Sequence, residues 1–163
     1  CAYACWGRGA DVPMILRPVT AYDAVAIYCW RAHPETQRFT PDLGRVTINE
    51  HLEWFVKRLQ RSLWYMAECG DACAVGVIRV DQRVAAAREG LWVSLLVDPT
   101  KRGCGYGTQI LQKYYHEQPL LAQIHRLNAP SLRAFEKAGF HLAPFAASRD
   151  GAWLYYDRER NVV

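Results

Sequence analysis

A glycine-rich turn between an apolar strand and a helix is the part of the sequence best suited to bind an anion. Three alternate glycines, Gly103, Gly105 and Gly107, follow Lys101 and Arg102. Glycine lets the backbone approach a ligand closely, and the first N–H groups and the dipole of the following helix favour phosphate. The pattern predicts a phosphate site with two basic side chains at its lip, although the glycines alone are also compatible with an ordinary turn.

Two well-known phosphate loops are excluded by the spacing. A Walker loop needs Gly-Lys-[Ser/Thr] after four intervening residues, and here Thr108 follows Gly107 directly. A dinucleotide fingerprint needs Gly-x-Gly-x-x-Gly with an acidic residue about 20 positions on. The glycines of this turn are spaced differently, and the next strand ends in His125.

A second segment begins at Asn128, has Ser131 three residues on and Phe135 seven residues on, and ends in Glu-Lys-Ala-Gly-Phe140. This pattern looks like one signature of the GCN5-related N-acetyltransferases (GNAT). The other signature of that family, [Gln/Arg]-x-x-Gly-x-[Gly/Ala], is matched by Arg102-Gly-Cys-Gly-Tyr-Gly107. Because both lie in the family's order and spacing, the chain resembles this family.

The resemblance covers Met14 to about Arg160, since the order of elements also matches. It implies an α/β fold of the GNAT type, with a central mixed twisted sheet, helices on both faces, and strands 91–97 and 120–125 splayed apart. It further implies direct transfer of an acetyl group from acetyl-CoA, as cosubstrate, to a primary amine of a small molecule. No metal is expected.

The same resemblance places acetyl-CoA in the opening between the splayed strands. Backbone groups of strand 91–97 would bind the pantetheine arm, because splayed strands leave N–H and C=O groups in need of partners. Amides of the glycine turn would hold the pyrophosphate, and Phe135 would lie near the thioester sulfur. The residues assigned to the cofactor are Leu95, Leu96, Val97, Arg102, Gly103, Cys104, Gly105, Tyr106, Gly107, Thr108, Asn128, Ser131 and Phe135.

Two positions depart from the family's pattern. Cys104 stands where members often have lysine, so one phosphate contact is lost. Cys104 is interpreted as an incidental loop residue and not as a nucleophile, because the family transfers the acetyl group directly to the amine. Phe135 stands where many members have a tyrosine that protonates the leaving thiolate. A thiol with a pKa near ~8.5 leaves tolerably well as a thiolate, so activity does not require that acid.

The acceptor amine must lose a proton, because only about one alkylamine in 2,500 is neutral at pH 7. Glu89, which enters strand 91–97, is the candidate base acting through water, with a solvated surface carboxylate as the equal alternative. Ser94 could hold such a water, or it could be a small residue with its hydroxyl satisfied. The amide of Val97 is the expected donor to the thioester oxygen.

Three residues are candidates for binding the acceptor: Trp30, Arg31 and His51. Three segments together are similar to GNAT members that act on nucleotide-linked 4-amino-6-deoxy sugars of the pseudaminic acid pathway: Tyr28-Cys-Trp-Arg31, Glu50-His51 with Trp54-Phe55, and Val75-Gly-Val-Ile-Arg79. An aromatic ring can stack on a base while arginine pairs with phosphate. Core positions for the aromatic residues, another small amine such as an aminoglycoside, and a non-catalytic acyl-CoA-binding module remain the alternatives.

The elements that must position these groups follow from capping and hydrophobic periodicity. Strands are predicted at 14–19, 63–68, 74–81, 91–97, 120–125, 140–145 and 152–157. Helices are predicted at about 20–31, from the capping box Thr47-Ile-Asn-Glu50, after Gly107 and after Asn128. Residues 32–46 are predicted as a loop. The order is β-α-α-β-β-β-α-β-α-β-β, with a parallel step between strands 91–97 and 120–125.

Composition limits the remaining classes of protein. The chain has 163 residues, a net charge of +4 and 51% hydrophobic residues, which suits one globular domain over 14–163. Residues 1–13 are interpreted as a linker, a cloning remnant or the tail of a preceding segment. The lack of a basic cluster argues against a nucleic-acid partner. No apolar run approaches the roughly 20 residues of a membrane-spanning helix, which argues against a membrane partner. Six cysteines in a chain of this size without a secretory signal suggest a cytoplasmic protein. The expected oligomeric state is a monomer or a homodimer.

Overall fold

The computed structural model describes residues 13–40, 46–70, 72–85, 88–114, 116–143 and 151–159. The predicted linker up to residue 12 and the end of the predicted strand 140–145 lie outside these residues. Seven strands are present: β1 Ile15–Pro18, β2 Leu63–Cys69, β3 Cys73–Ala85, β4 Arg88–Val97, β5 Leu120–His125, β6 His141–Leu142 and β7 Trp153–Arg158. The helices are α1 Ala24–Ala32, α2 Pro34–Gln37, α3 Ile48–Leu59, α4 Tyr106–Lys113 and α5 Ala129–Lys137.

The strands form one sheet in the order β1-β2-β3-β4-β5-β7-β6. Every neighbouring pair is antiparallel except β4 and β5, which are parallel and are connected through α4. The mixed sheet and the parallel step are therefore confirmed, and the predicted order of elements holds except for the additional helix α2. No helix of the described residues has the length and apolar character needed to cross a membrane.

The two faces of the sheet carry separate cores, which confirms helices on both faces. On one face, Ile110 of α4 and Phe135 of α5 pack against Val93 and Ile124. On the other face, Ile27 of α1 and Phe55 of α3 pack against Met66 and Val77. Because side chains alternate along a strand, β4 sends successive residues into two different surroundings.

The prediction of a loop over residues 32–46 is wrong in its first part. His33 ends α1 and at once caps α2, accepting a hydrogen bond at Nδ1 from the N–H of Glu35, 3.3 Å away. Pro34 occupies the first position of α2, where a missing N–H costs nothing. The proline that suggested a loop instead begins a short helix, and that helix contributes to the site described below.

Candidate active site

The two parallel strands separate where the sequence predicts. β4 and β5 pair only through Leu91–Val93 and residues 120–122, and no ladder pairs join them beyond these positions in the described chain. β4 stays paired with β3 as far as Val97, and β5 stays paired with β7 as far as His125. The result is a V-shaped opening whose walls are the backbone edges of residues 94–97 and 123–125.

The turn at the top of this opening has the backbone shape that glycine permits. Gly103 has φ 80° and Gly105 has φ 82°, in the left-handed region that side chains other than glycine rarely adopt. Gly105 is also the N-cap of α4. A Cβ on Gly107 would lie 3.4 Å from Leu95 Cδ2 and 3.6 Å from Ala134 Cβ, so this glycine lets α4 pack closely on β4 and α5.

The N-terminus of α4 therefore faces the opening with the first N–H groups of the helix, which have no acceptor within the helix itself. Cys104 is exposed, and its Sγ lies 3.7 Å from the carbonyl oxygen of Arg102. Tyr106 and Thr108 lie in the first turn of α4. Backbone N–H groups and the helix dipole suit an anion such as a pyrophosphate.

Lys101 and Arg102 were both expected to border the phosphate site with their side chains, and the structure does not place Lys101 there. Lys101 turns inward, where its Nζ contacts Ala74 O, lies 3.0 Å from Cys73 Sγ and lies 3.5 Å from Asp98 Oδ2. Partial burial acts to lower the pKa of the Lys101 ammonium, but the contacts with Cys73 and Asp98 outweigh it and raise that pKa. Its role in the described structure is to tie the turn to the hairpin β2–β3.

Arg102 reaches across to the neighbouring helix α2. Its guanidinium donates to Glu35 Oε2 at 3.2 Å and to the hydroxyl of Thr36. The cofactor turn and α2 are thereby joined by side chains that are far apart in the sequence. Arg102 is therefore placed beside the predicted cofactor site, but with its guanidinium directed at α2.

The opposite wall of the opening is the start of α5. Asn128 caps α5 by accepting at Oδ1 from the N–H of Ser131, 3.3 Å away. Phe135 is 3% exposed and packs edge-on against Phe140, with ring centroids 4.9 Å apart. The phenylalanine is thus a core residue on the cofactor side of the sheet.

A cavity of about 500 Å³ opens on the other face of β4, beside the V-shaped opening. Residues of three helices and five strands line it: Ile27, Arg31, Thr36, Thr40, Trp54, Trp64, Val77, Arg79, Arg83, Ser94, Leu95, Leu96, Gln123 and Trp153. Because Ser94, Leu95 and Leu96 belong to both the opening and the cavity, a group bound in one lies next to a group bound in the other. We call this cavity the acceptor pocket.

Three arginines give the acceptor pocket its charge, and none of the lining residues that the structure describes is acidic. Arg31 stacks on Trp54, with Cζ 3.8 Å from the ring centroid. Burial, together with the positive charges of Arg79 and Arg58, lowers the pKa of Arg31 to about 10. It therefore stays charged at pH 7, and no carboxylate of the described residues lies within ion-pair distance of it.

Arg79 links the pocket's charge to β4. Its Nη2 donates to Ser94 Oγ at 3.2 Å, and its Nε lies 2.8 Å from Asp81 Oδ2. Burial lowers the pKa of Arg79, while Asp81 opposes that effect. The guanidinium of Arg83 lies 4.9 Å from the ring centroid of Trp92.

The predicted site residues are only partly brought together. Arg31 and Ser94 line the acceptor pocket, whereas Trp30 is 8% exposed and belongs to the core between α1, α3 and the sheet. His51 is also buried, with 2% exposure, and lies behind Arg31 rather than in the pocket. The assignment of Trp30 and His51 as residues that contact the acceptor is therefore not supported by their positions.

Glu89 is placed where it cannot act on the acceptor directly. It lies five residues before Ser94, about 17 Å along the strand at 3.3 Å per residue. Strand alternation also puts it on the opposite face from Ser94. Its carboxylate is exposed and accepts from Gln82 Nε2 at 3.3 Å, so the alternative of a solvated surface carboxylate fits the structure better than a base.

The sequence analysis missed part of the acceptor pocket. Arg83 was missed although a signal was present, because it lies four residues after Arg79 of the expected acceptor region, and residues four apart on a strand share one face. Thr36 and Thr40 were missed because their segment was predicted as a loop. Gln123 and Trp153 carried no signal, since only the pairing of β5 with β7 brings them together.

Comparisons with known proteins agree with this geometry. The family model described as "Acetyltransferase (GNAT) domain" matches residues 14–141. A relative from Bacillus subtilis (strain 168), named "Putative phosphinothricin acetyltransferase YwnH", is 31% identical over 138 residues, which are 78% of this chain and 83% of the relative.

Two solved structures show the same fold at low identity. Aminoglycoside acetyltransferase AAC(6')-Ib, in complex with parmomycin and acetyl-CoA, has a TM-score of 0.72 at 18% identity, over 90% of this chain and 93% of that one. Spermidine N-acetyltransferase from Vibrio cholerae, in complex with CoA and spermine, has a TM-score of 0.75 at 12% identity, over 90% and 95% of the two chains.

Proposed function

Since the chain belongs to the acetyltransferase (GNAT) family and is an acetyl-CoA-dependent N-acetyltransferase, we propose that its acceptor is a small primary amine that also carries an anionic group. One observation carries the proposal: the fourteen described residues that line the acceptor pocket include three arginines and no acidic residue. Guanidinium groups bind carboxylate, phosphinate or phosphate oxygens through two parallel hydrogen bonds. Arg31 has a partly buried guanidinium with no carboxylate partner among the described residues, and such a group is suited to receive one.

The same charge argues against polycationic acceptors. Like charges that lie within a few ångströms of each other repel strongly in a partly dry site. An aminoglycoside or a polyamine would bring several ammonium groups beside Arg31, Arg79 and Arg83. The proposal therefore separates this chain from the functions named for the two structural neighbours, whose likeness extends to the fold alone.

Two classes of acceptor carry both an amine and an anion. One is a nucleotide-linked amino sugar, which the similarity of residues 28–31 and 75–79 suggests, and whose diphosphate would lie against Arg31 and Arg79. The other is an amino-acid-like amine such as phosphinothricin, for which the 31% identical relative is named. The face of Trp54 that would stack on a nucleotide base is covered by Arg31 at 3.8 Å, which favours the smaller, amino-acid-like acceptor.

For the cosubstrate, we propose that the V-shaped opening holds acetyl-CoA, whose thioester is an activated acetyl donor. Backbone groups of Leu95 and Val97 would bind the pantetheine arm, whereas Leu96 pairs with Val77 of β3 and would contribute only its position beside the arm. The amides of residues 102–108 would bind the pyrophosphate. Asn128, Ser131 and Phe135 would form the other wall. The unpaired strand edge and the glycine turn at the head of α4 support this placement.

Proton removal does not require a carboxylate base in this pocket. Positive charges disfavour a second positive charge nearby, so Arg31 and Arg79 would lower the pKa of an amine bound between them and Ser94. The ammonium proton would pass to water, and the neutral amine would attack the thioester carbonyl carbon while the N–H of Val97 stabilises the carbonyl oxygen. As the new C–N bond replaces the C–S bond, the thiolate would leave and the nitrogen would release its second proton to water or to that thiolate. Ser94, whose oxygen accepts from Arg79, is placed to donate its O–H into the pocket or to hold a water.

The test is an acceptor panel with acetyl-CoA, measured as acetylated product by mass spectrometry, because exposed Cys29 and Cys104 would disturb a thiol-release assay. Phosphinothricin and a nucleotide-linked 4-amino-6-deoxy sugar represent anionic amines, and kanamycin and spermidine represent polycations. We expect kcat/KM for at least one anionic amine to exceed that of both polycations by tenfold or more. A preference for a polycation would overturn the proposal, and acetyl-CoA binding without turnover on any amine would indicate a binding module.

A further inference from the structure

His51 is a buried histidine whose two ring nitrogens both have partners. It lies on α3 and faces α1, with 2% exposure. Its Nε2 lies 3.0 Å from the carbonyl oxygen of Ala24, and its Nδ1 lies 3.5 Å from Nη1 of Arg31. The rings of Tyr28, Trp54 and Phe55 surround it at centroid distances of 5.3–5.7 Å.

These two contacts determine which nitrogen carries the proton. A carbonyl oxygen can only accept, so Nε2 must donate; a guanidinium can only donate, so Nδ1 must accept. Only the neutral imidazole with its proton on Nε2 satisfies both partners. Burial and the positive charge of Arg31 lower the pKa of His51, which keeps the ring neutral at pH 7.

Arg31 is thereby held from two directions. The ring of Trp54 supports one face of its guanidinium, and Nδ1 of His51 accepts from one edge. No other hydrogen-bond partner of this guanidinium occurs among the described residues, so its other N–H groups are available to the acceptor pocket that Arg31 lines. From α1 the groups facing His51 are Arg31 and Tyr28, and from α3 they are the uncharged rings of Trp54 and Phe55.

We propose that His51 is a positioning residue for the acceptor, since its unprotonated Nδ1 orients Arg31 toward the acceptor's anionic group. This inference rests on the proposed function. It assigns His51 a role behind the pocket instead of the direct contact expected from the sequence. The same inference predicts that KM for the acceptor amine depends on pH. Protonation of Nδ1 would turn this nitrogen from a hydrogen-bond acceptor into a donor, and it would place a positively charged ring against Arg31.

A matched pair of variants separates this role from a structural one. In His51→Asn the side-chain oxygen reaches about the place of Nδ1 and still accepts from Arg31, whereas in His51→Gln the amide nitrogen reaches about the place of Nε2 and still donates to Ala24. Both variants lose the same ring packing. We expect His51→Gln to raise the KM for phosphinothricin about tenfold and His51→Asn to raise it threefold or less, with the Kd of acetyl-CoA unchanged in both.

The reverse order of the two variants would overturn the proposal, because the bond to Ala24 would then be the important one. Equal KM values would overturn it too, since only ring packing would matter. The KM of the parent for phosphinothricin should also rise as the pH falls below the pKa of His51, which lies below its ordinary 6.5. Titration of the acceptor amine raises the KM of both proteins equally as the pH falls, so the expected result is an additional rise in the parent that His51→Asn lacks.

Nitrogen NMR of the whole protein gives a result that does not depend on any acceptor. We expect the Nε2–H tautomer of His51 at pH 7, with an Nδ1 resonance that shifts in Arg31→Met. An imidazolium or an Nδ1–H tautomer at pH 7 would overturn the proposal. If phosphinothricin is not acetylated, the nucleotide-linked amino sugar replaces it in the same comparison of the two His51 variants. If Arg31→Met leaves the KM of the anionic amine unchanged, the anionic-acceptor proposal fails and the role of His51 fails with it, whereas failure of the His51 variants alone leaves the anionic-acceptor proposal standing.

Discussion

On one face of β4, the turn at residues 102–108 offers backbone N–H groups from consecutive positions; on the other face, the acceptor pocket offers guanidinium side chains from α1 and β3. The turn depends on glycine conformations within one short segment. The pocket depends on Arg31, Trp54 and Arg79, which reach it only through the packing of α1 and α3 on the sheet. A site built from backbone tolerates change in most side chains, whereas a site built from side chains can change its ligand by single substitutions.

The backbone site should be most strongly disrupted by replacing Gly105 with aspartate. The φ of 82° becomes strained, and a carboxylate would repel the pyrophosphate, so we expect acetyl-CoA affinity to fall more than a hundredfold in calorimetry. Gly139→Asp is the matched control, because Gly139 has φ 83° at the far end of α5. Equal loss in both variants would show that strain, and not the phosphate site, explains the effect.

The side-chain site is disrupted by Arg31→Met, which keeps an unbranched stem on Trp54 and removes the charge. Hydrogen bonds to charged groups are worth about 1.5–3 kcal/mol, so the KM for an anionic acceptor should rise about 10–100-fold in steady-state kinetics. The Kd of acetyl-CoA should not change. Arg61→Met is the control, because Arg61 is exposed just beyond the end of α3, and an equal rise in that variant would rule out a specific anion contact.

Phe135 tests whether the cofactor side needs an acid. Phe135→Tyr should keep turnover or raise it modestly, because it supplies the hydroxyl that many family members have. Phe135→Ala should weaken acetyl-CoA binding and lower the free energy of unfolding by about 3–5 kcal/mol, as expected for a buried phenylalanine. A large loss of turnover in the tyrosine variant, with binding intact, would show that a dry apolar ring is required beside the sulfur.

The smallest effect is expected for Glu89→Gln. The sequence suggested Glu89 as the base, whose loss would slow turnover by about 10²–10⁴-fold, but the structure places it on the opposite face from Ser94 and well down the strand. We therefore expect kcat at pH 7 to stay within threefold of the parent. Ser94→Ala should reduce kcat more, and the opposite ranking would restore Glu89 as the base.

The fold was predictable because its signals are local and repeat along the chain. The capping box at Thr47 begins α3, and the apolar run at 91–97 forms the end of β4. The short helix α2 was missed, because Pro34 suggests a break as readily as a first helical position. The predicted strand 91–97 was also too short, since the antiparallel partner β3 extends pairing back to Arg88.

The candidate site was predictable on one side only. The glycine turn and the helix starting after Asn128 could be identified because each lies within about a dozen consecutive residues. His51 was identified as interesting, but its side chain points into the packing of α1 against α3 and not into the pocket. The spacing of residues along a helix shows on which side of the helix each residue lies. It does not show which other element packs against that side.

The glycine turn, the order of elements apart from α2, and the family could be predicted from the order of residues, because they depend on backbone conformations and spacings that neighbouring residues impose. The charge of the acceptor pocket and the positions of Arg31, His51 and Glu89 emerged only from the folded chain. Those properties arise where strands and helices from distant parts of the chain meet. Net charge of +4 over the whole chain gives no sign of a pocket where three arginines converge without an acidic residue among the described lining residues.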